Sequence, residues 1–220
     1  MIIEDVIDYT ENAKGLAEKI HNQETESDRK EREQLFVTLF YRFIKNVIVI
    51  DAMNTIMPIN LKDNEFELLK TALQTGQRVY KNQLISGDVP INNIQDAVDL
   101  LEKIKNKWKK QYLTSDLVKE TISMLELIKP IYKNTPKPKD LIDKIQAVDD
   151  DAIDEEIVKT AARSVDAGKD ILNNMAIDDD VKSFLKKVST NTASLMDINE
   201  NILLWLKNND LLNKMKITNS

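Results

Sequence analysis

LFVTLFYRFIKNVIVIDAMNTIM, residues 35 to 57, decides the fold. Leu35, Phe36, Val37, Leu39, Phe40, Phe43, Ile44 and the run from Val47 to Ile50 make it the most apolar stretch of the chain. Its polar positions set the period. Glu31, Gln34, Thr38, Arg42 and Lys45 follow each other at steps of three or four, which is one solvated stripe along a helix. Past Lys45 the stripe continues at the apolar Val49 and Ala52. The spacing therefore predicts a helix that begins exposed on one side and ends apolar nearly all round, as a helix buried in a core or in a bilayer does. Arg42, Lys45 and Asp51 lie inside the stretch, and each is costly in hydrocarbon. The expectation is the long central apolar helix of a bundle, with no membrane span.

The remaining composition agrees. Of 220 residues, 42% are hydrophobic and 31% charged, with only four Gly and five Pro; this is too apolar for a disordered chain and too poor in turn residues for an all-β one. A net charge of −6 argues against a nonspecific nucleic-acid binder, which needs a basic face. The absence of Cys excludes disulfides, thiol catalysis and cysteine-bound zinc, and a single histidine, His21, leaves no His-based metal cluster or triad. Met1-Ile2-Ile3-Glu4-Asp5 shows no basic region followed by an apolar core, so a cytoplasmic location is expected.

Helical spacing recurs along the chain. Ile3, Val6, Ile7, Ala13, Ala17 and Ile20 share one face of a first helix. Pro58 stops the long helix near Met57, and Asn64 with Glu67 predicts the next start, with Phe66, Leu69, Leu73, Val79, Tyr80 and Leu84 inside. Gly76 within that helix costs about 1 kcal/mol against Ala, which a close helix contact would explain. Gly87 and Pro90 end it, and Asn93 with Asp96 begins a helix with Ile94, Val98, Leu101, Ile104 and Trp108 inside. Leu117, Thr121, Met124, Leu125 and Ile128 form the next buried face, ended by Pro130.

Prolines 136 and 138 stiffen Asn134–Lys139 into an extended connection. It divides an N-terminal bundle, residues 1–133, from a smaller C-terminal helical unit, residues 139–220, the alternative being one continuous domain. Beyond it, Leu141 to Val148 reads as a short helix. Asp149–Asp151, Asp178–Asp180 and Asp197 with Glu200 mark three further helix starts, and Leu211, Leu212, Met215 and Ile217 form an apolar tail. The fold class is all-α: a multi-helix bundle of about eight helices.

Candidate chemistry is confined to carboxylates and lysines. Asp150, Asp151 and Asp154 form an Asp-Asp-x-x-Asp string, and hard cations need several carboxylates on one helix face. No second string with matching spacing faces it, so these acids read as complements to a helix dipole. Asp96, Asp99 and Glu102 form a ladder that Asp5, Asp8 and Glu11 repeat; two such ladders could hold magnesium, but a chain with 37 acidic residues on helices produces them freely on solvated faces. Lys103, Lys107 and Lys110 form a basic stripe opposite Trp108, suited to an acidic protein partner. Asp51 and Asn54, polar within the most apolar helix, call for a structural partner such as Arg78 or a lysine. No glycine-rich phosphate loop, nucleophile elbow or dinucleotide fingerprint is present.

The expectation is therefore a non-catalytic intracellular interaction or scaffold module, a subunit of a larger assembly with a protein partner or a second copy of itself, and without cofactor, metal, nucleic acid or membrane. The competing classes are a small magnesium-dependent all-α hydrolase acting on a phosphorylated small molecule or nucleotide, and a protein that inserts residues 35 to 57 into membranes.

Overall fold

The computed structural model describes residues 31–82, 91–175 and 177–212. The expected first helix with His21, Asp5, Asp8 and Glu11, the inner-face residue Leu84, the end signals Gly87 and Pro90, and the tail at Met215 and Ile217 lie outside the described residues. Among those described the protein is an all-α, multi-helix chain of eight α-helices and two short 3-10 turns, with no strand. The helices are α1 (Glu31–Ile56), α2 (Asp63–Asn82), α3 (Ile91–Thr114), α4 (Asp116–Ile128), α5 (Pro138–Gln146), α6 (Glu155–Asn174), α7 (Asp179–Ser189) and α8 (Glu200–Asn208). None is long and apolar enough to cross a membrane. The chain divides into two compact units: residues 1–111 with 152–158, and residues 112–151 with 159–220. The proline segment 134–139 falls inside the second unit.

The first unit contains α1 and α2. Phe40, Phe43, Ile44, Ile50 and Met53 of α1 are fully buried, while Thr38, Arg42 and Lys45 are exposed, in agreement with the stripe read from the sequence. Val49 and Ala52 are buried, so the stripe closes as the spacing predicts. The rings of Phe36, Phe40 and Phe43 stack in succession, with centroids 5.8 Å and 6.0 Å apart. Helix α2 starts one residue before the predicted Asn64, because the side chain of Glu65, not Glu67, reaches back to accept from the backbone N–H of Lys62 (2.9 Å). Asn54 accepts from the backbone N–H of Ile59 (2.8 Å) and so shapes the turn after α1. Of the predicted inner face of α3, Ile94, Val98 and Leu101 are fully buried and Ile104 is half-buried. Trp108 is also buried, and its indole N–H donates to the carbonyl of Met57 (3.1 Å), tying α3 to the end of α1.

The close contact expected at Gly76 is present. A Cβ placed there would fall 1.9 Å from Cε2 of Phe40. Phe40 is fully buried within the aromatic stack, so its ring has little room to yield.

In the second unit, α4 packs against both α5 and α7, and α7 against α8. Met124, Val181, Phe184, Leu185, Ile202, Leu206 and Leu211 form its core cluster. Ser115 caps α4, and Pro138 opens α5, where a missing N–H costs nothing. Helices α7 and α8 both end in Schellman turns. Asn191 (φ 56°) and Asp210 (φ 54°) take the left-handed conformation, and the next N–H groups, of Thr192 and Leu211, return to the carbonyls of Lys187 (2.8 Å) and Leu206 (2.9 Å). The second turn brings Leu211 down onto the core, where it is 2% exposed. Gly168 of α6 repeats the device of Gly76: a Cβ there would lie 2.8 Å from Cγ2 of Thr121 and 3.1 Å from Cδ1 of Leu125 on α4.

Gly76→Ala is expected to destabilise the protein by about 1–3 kcal/mol in urea melts, because overpacking at Phe40 outweighs the roughly 1 kcal/mol that Ala contributes to an exposed helix. Phe40→Leu in the same chain should recover part of that loss, since it vacates the space the new methyl needs. A stabilising Gly76→Ala would mean that α1 and α2 are not in contact here.

Candidate functional site: a lysine-edged groove

The acidic candidates occupy structural positions. Asp154 is the residue before α6, and its carboxylate accepts from the backbone N–H of Ile157 (2.8 Å), an N-cap. The helix predicted to start at Asp149–Asp151 thus starts at Glu155; Asp149 closes a 3-10 turn, Ala147–Asp149, and Asp150 and Asp151 are exposed beyond it. Asp96 and Asp99 are exposed on α3, where Asp99 accepts from the amide of Gln95 (2.7 Å). Asp180 accepts from the amide of Asn199 (2.8 Å), which holds its carboxyl below the usual range. Asp197 accepts from the ammonium of Lys187 and from the backbone N–H and hydroxyl of Ser194; these bonds, the lysine's first, hold its carboxyl down at about 2. Among the described residues no group of three or more His, Cys, Asp or Glu side chains is placed to hold a metal ion.

Glu102, the third rung of the ladder, belongs to a different constellation. Its carboxylate takes Nζ of Lys105 (2.9 Å), Nδ2 of Asn46 (3.0 Å) and a guanidinium nitrogen of Arg42 (3.3 Å). Lys105 also donates to Oδ1 of Asn46 (2.8 Å), closing the ring. Asn46 and Lys105 are each only 5% exposed, so the network ties α1 to α3 within the first unit. Burial pushes the Glu102 carboxyl up, but the bonds from Lys105 and Asn46, the charge of Lys105 and the bond from Arg42 together outweigh it and hold the group below its ordinary value. These atoms face one another, and the arrangement is a structural clasp.

Lys103, Lys107 and Lys110 are exposed on α3, opposite the buried Trp108. Tyr112 follows in the second unit, its phenol raised to about 12 by burial and by the charge of Asp166.

A groove of about 370 Å³ lies within the second unit. Helix α4 supplies one wall through Leu117, Glu120, Thr121, Met124 and Ile128, a single face at steps of three and four. Ile128 is fully buried and Met124 nearly so, while Leu117, expected inside, is 51% exposed. The hydroxyl of Thr121 donates to the carbonyl of Leu117 (2.8 Å), so this wall presents methyl groups. Helix α6 brings Lys169, Leu172 and Asn173; Ile177 follows it, and α7 completes the groove with Lys182, Leu185 and Lys186. Gly168, one residue before Lys169, sets how closely α6 approaches α4. The floor is therefore aliphatic and the edge carries three lysines. Lys186 pairs with Glu120 (3.2 Å), Lys169 with Asp166 (3.5 Å), and Lys182 donates to the carbonyl of Asn173 (3.3 Å).

Two other clefts of the second unit differ in chemistry. One of about 680 Å³ has, among the described residues, Asp170 as its one charged lining side chain. One of about 400 Å³, beside Leu127, Val188 and Leu211, has Glu126. Lys169, Lys182, Lys186 and Asn46 belong to no motif in the sequence. The i, i+4 pair Lys182 and Lys186 was visible, but nothing local says that its helix face meets those of Leu117 and Leu172. No protein-family model, no curated protein and no solved structure matches the chain.

The depressed carboxyl of Glu102 gives a signed expectation. A group whose pKa is lowered on folding contributes stability above its unfolded pKa and loses it as pH falls through the folded value. Wild-type stability should thus decline in the acid range, and Glu102→Gln should be less stable near neutrality with a shallower acid limb in urea melts run across pH. Parallel pH curves for the two proteins would show that Glu102 makes no such contribution.

Proposed function

We propose that the chain is a non-catalytic helical interaction module, a subunit of a larger assembly that takes a helical segment of a protein partner into the groove formed by α4, α6 and α7. The observation that carries this reading is a groove lined by aliphatic side chains of α4, α6 and α7, with Leu117 half exposed on its wall. Large apolar side chains in a concave surface with a polar edge suit the helix-in-groove mode, in which residues at i, i+3, i+4 and i+7 of the partner supply the anchors. The engagement of Glu102 and Asp197 in ion pairs, of Asp154 in a helix cap and of Asp180 with the amide of Asn199 supports a binding role over magnesium-dependent hydrolysis. The exposed stripe of Lys103, Lys107 and Lys110 offers charge on another helix, but none of the three clefts described above includes it.

The test is fluorescence anisotropy with a series of fluorescein-labelled amphipathic model helices that share leucines at i, i+3, i+4 and i+7 and differ only in their polar edge. At least one should bind saturably. Leu117→Asn, a substitution at a half-exposed position, should weaken that binding by about tenfold or more, the equivalent of losing one buried leucine contact. Absence of saturable binding across the series, or binding indifferent to Leu117→Asn, would contradict the proposal.

A further inference from the structure

We infer that the segment the groove accepts is an amphipathic helix with an acidic edge, and that Glu120 occupies, within the chain itself, a place one of that helix's carboxylates would take. This rests on the interaction-module reading above and adds the chemistry of the partner.

Charge complementarity identifies the partner's edge. Among the described residues that line the groove three are cationic, Lys169, Lys182 and Lys186, and one is anionic, Glu120, on a chain whose net charge is −6. Lys182 and Lys186 stand one turn apart on α7 and face the same groove. Carboxylates at i, i+3 or i, i+4 on a docked helix match that separation, since helical residues three and four apart are neighbours on one face. The contacts the lysines already make show what they select. Lys186 holds the Glu120 carboxylate, Lys169 the Asp166 carboxylate, and Lys182 a backbone carbonyl in the last turn of α6. Lys186 is 65% exposed in its pair and Glu120 34%, so the pair is solvent-screened and exchangeable. An incoming carboxylate displaces Glu120 from Lys186 at little cost, and Glu120 acts as an internal competitor.

The experiment compares two of the labelled helices, one with a glutamate edge and one with a lysine edge on the same leucine face, on the full chain. The glutamate-edged helix should bind more tightly, and the preference should fade in about 1 M salt, where the Debye length falls to about 3 Å. Glu120→Gln should raise affinity for the glutamate-edged helix by about two- to fivefold, the range of one exposed ion pair, and lower none of the apolar contribution. Lys182→Glu with Lys186→Glu should reverse the preference between the two helices. All these side chains are at the surface, and circular dichroism checks that each variant retains wild-type helicity. Equal affinity for both helices, or a Glu120→Gln variant that binds the acidic helix no better than wild type, overturns the charge assignment and leaves the groove reading standing. Failure of both helices to bind overturns the two together.

Discussion

Each unit depends on a glycine that lets a second helix come closer than any side chain would permit. At Gly76 the space a Cβ needs is filled by the ring of Phe40, and at Gly168 it is filled by Thr121 and Leu125. In the first unit the approach seats α2 against the Phe40 ring of the aromatic stack on α1. In the second it fixes the separation of α4 and α6 at the turn next to Lys169 and Leu172, and so shapes the groove. A helical chain accepts glycine in a helix interior at a cost of about 1 kcal/mol, and both residues recover it through packing.

The polar chemistry follows from how these helices end and meet. Acidic side chains go to helix starts, where N–H groups lack partners, and to lysines across the interface: Asp154 at the start of α6, Glu65 at α2, Asp197 with Lys187, and Glu102 within its ring. That ring is the most consequential polar feature. Two nearly buried side chains, Asn46 and Lys105, satisfy each other and Glu102, so removing one member leaves buried polar atoms with fewer partners. It specifies how α1 and α3 register against each other, which an aliphatic seam alone specifies weakly.

Much of this was legible in the residues. The exposed stripe of α1, the burial of Phe66, Leu69, Leu73 and Val79 on α2 and of Ile94, Val98 and Leu101 on α3, and the burial of Trp108 all follow from period and phase, because burial of an amphipathic helix leaves a regular imprint. Helix starts were less legible, since Asp149–Asp151 and Asp154 are equally good capping residues and backbone geometry beyond the local sequence selects Asp154. The Schellman turns at Asn191 and Asp210 use residues that only sometimes take the left-handed conformation, so composition alone does not announce them. Leu117 has the right phase to be buried with Thr121 and Met124 yet lies half exposed. Periodicity assigns a side to a residue but not how far a neighbouring helix covers it, and among the described residues α6 and α7 line the groove while leaving Leu117 half exposed.

Methyl NMR of the full chain titrated with the glutamate-edged helix tests whether the groove of α4, α6 and α7 is the recognition surface. The methyl signals of Leu117, Met124, Leu172 and Leu185 should shift together and saturate at one ligand concentration, while those of Val47, Val98 and Leu101 in the first unit stay in place. Shifts confined to the first unit, or centred on the helix that bears Lys103, Lys107 and Lys110, would contradict it.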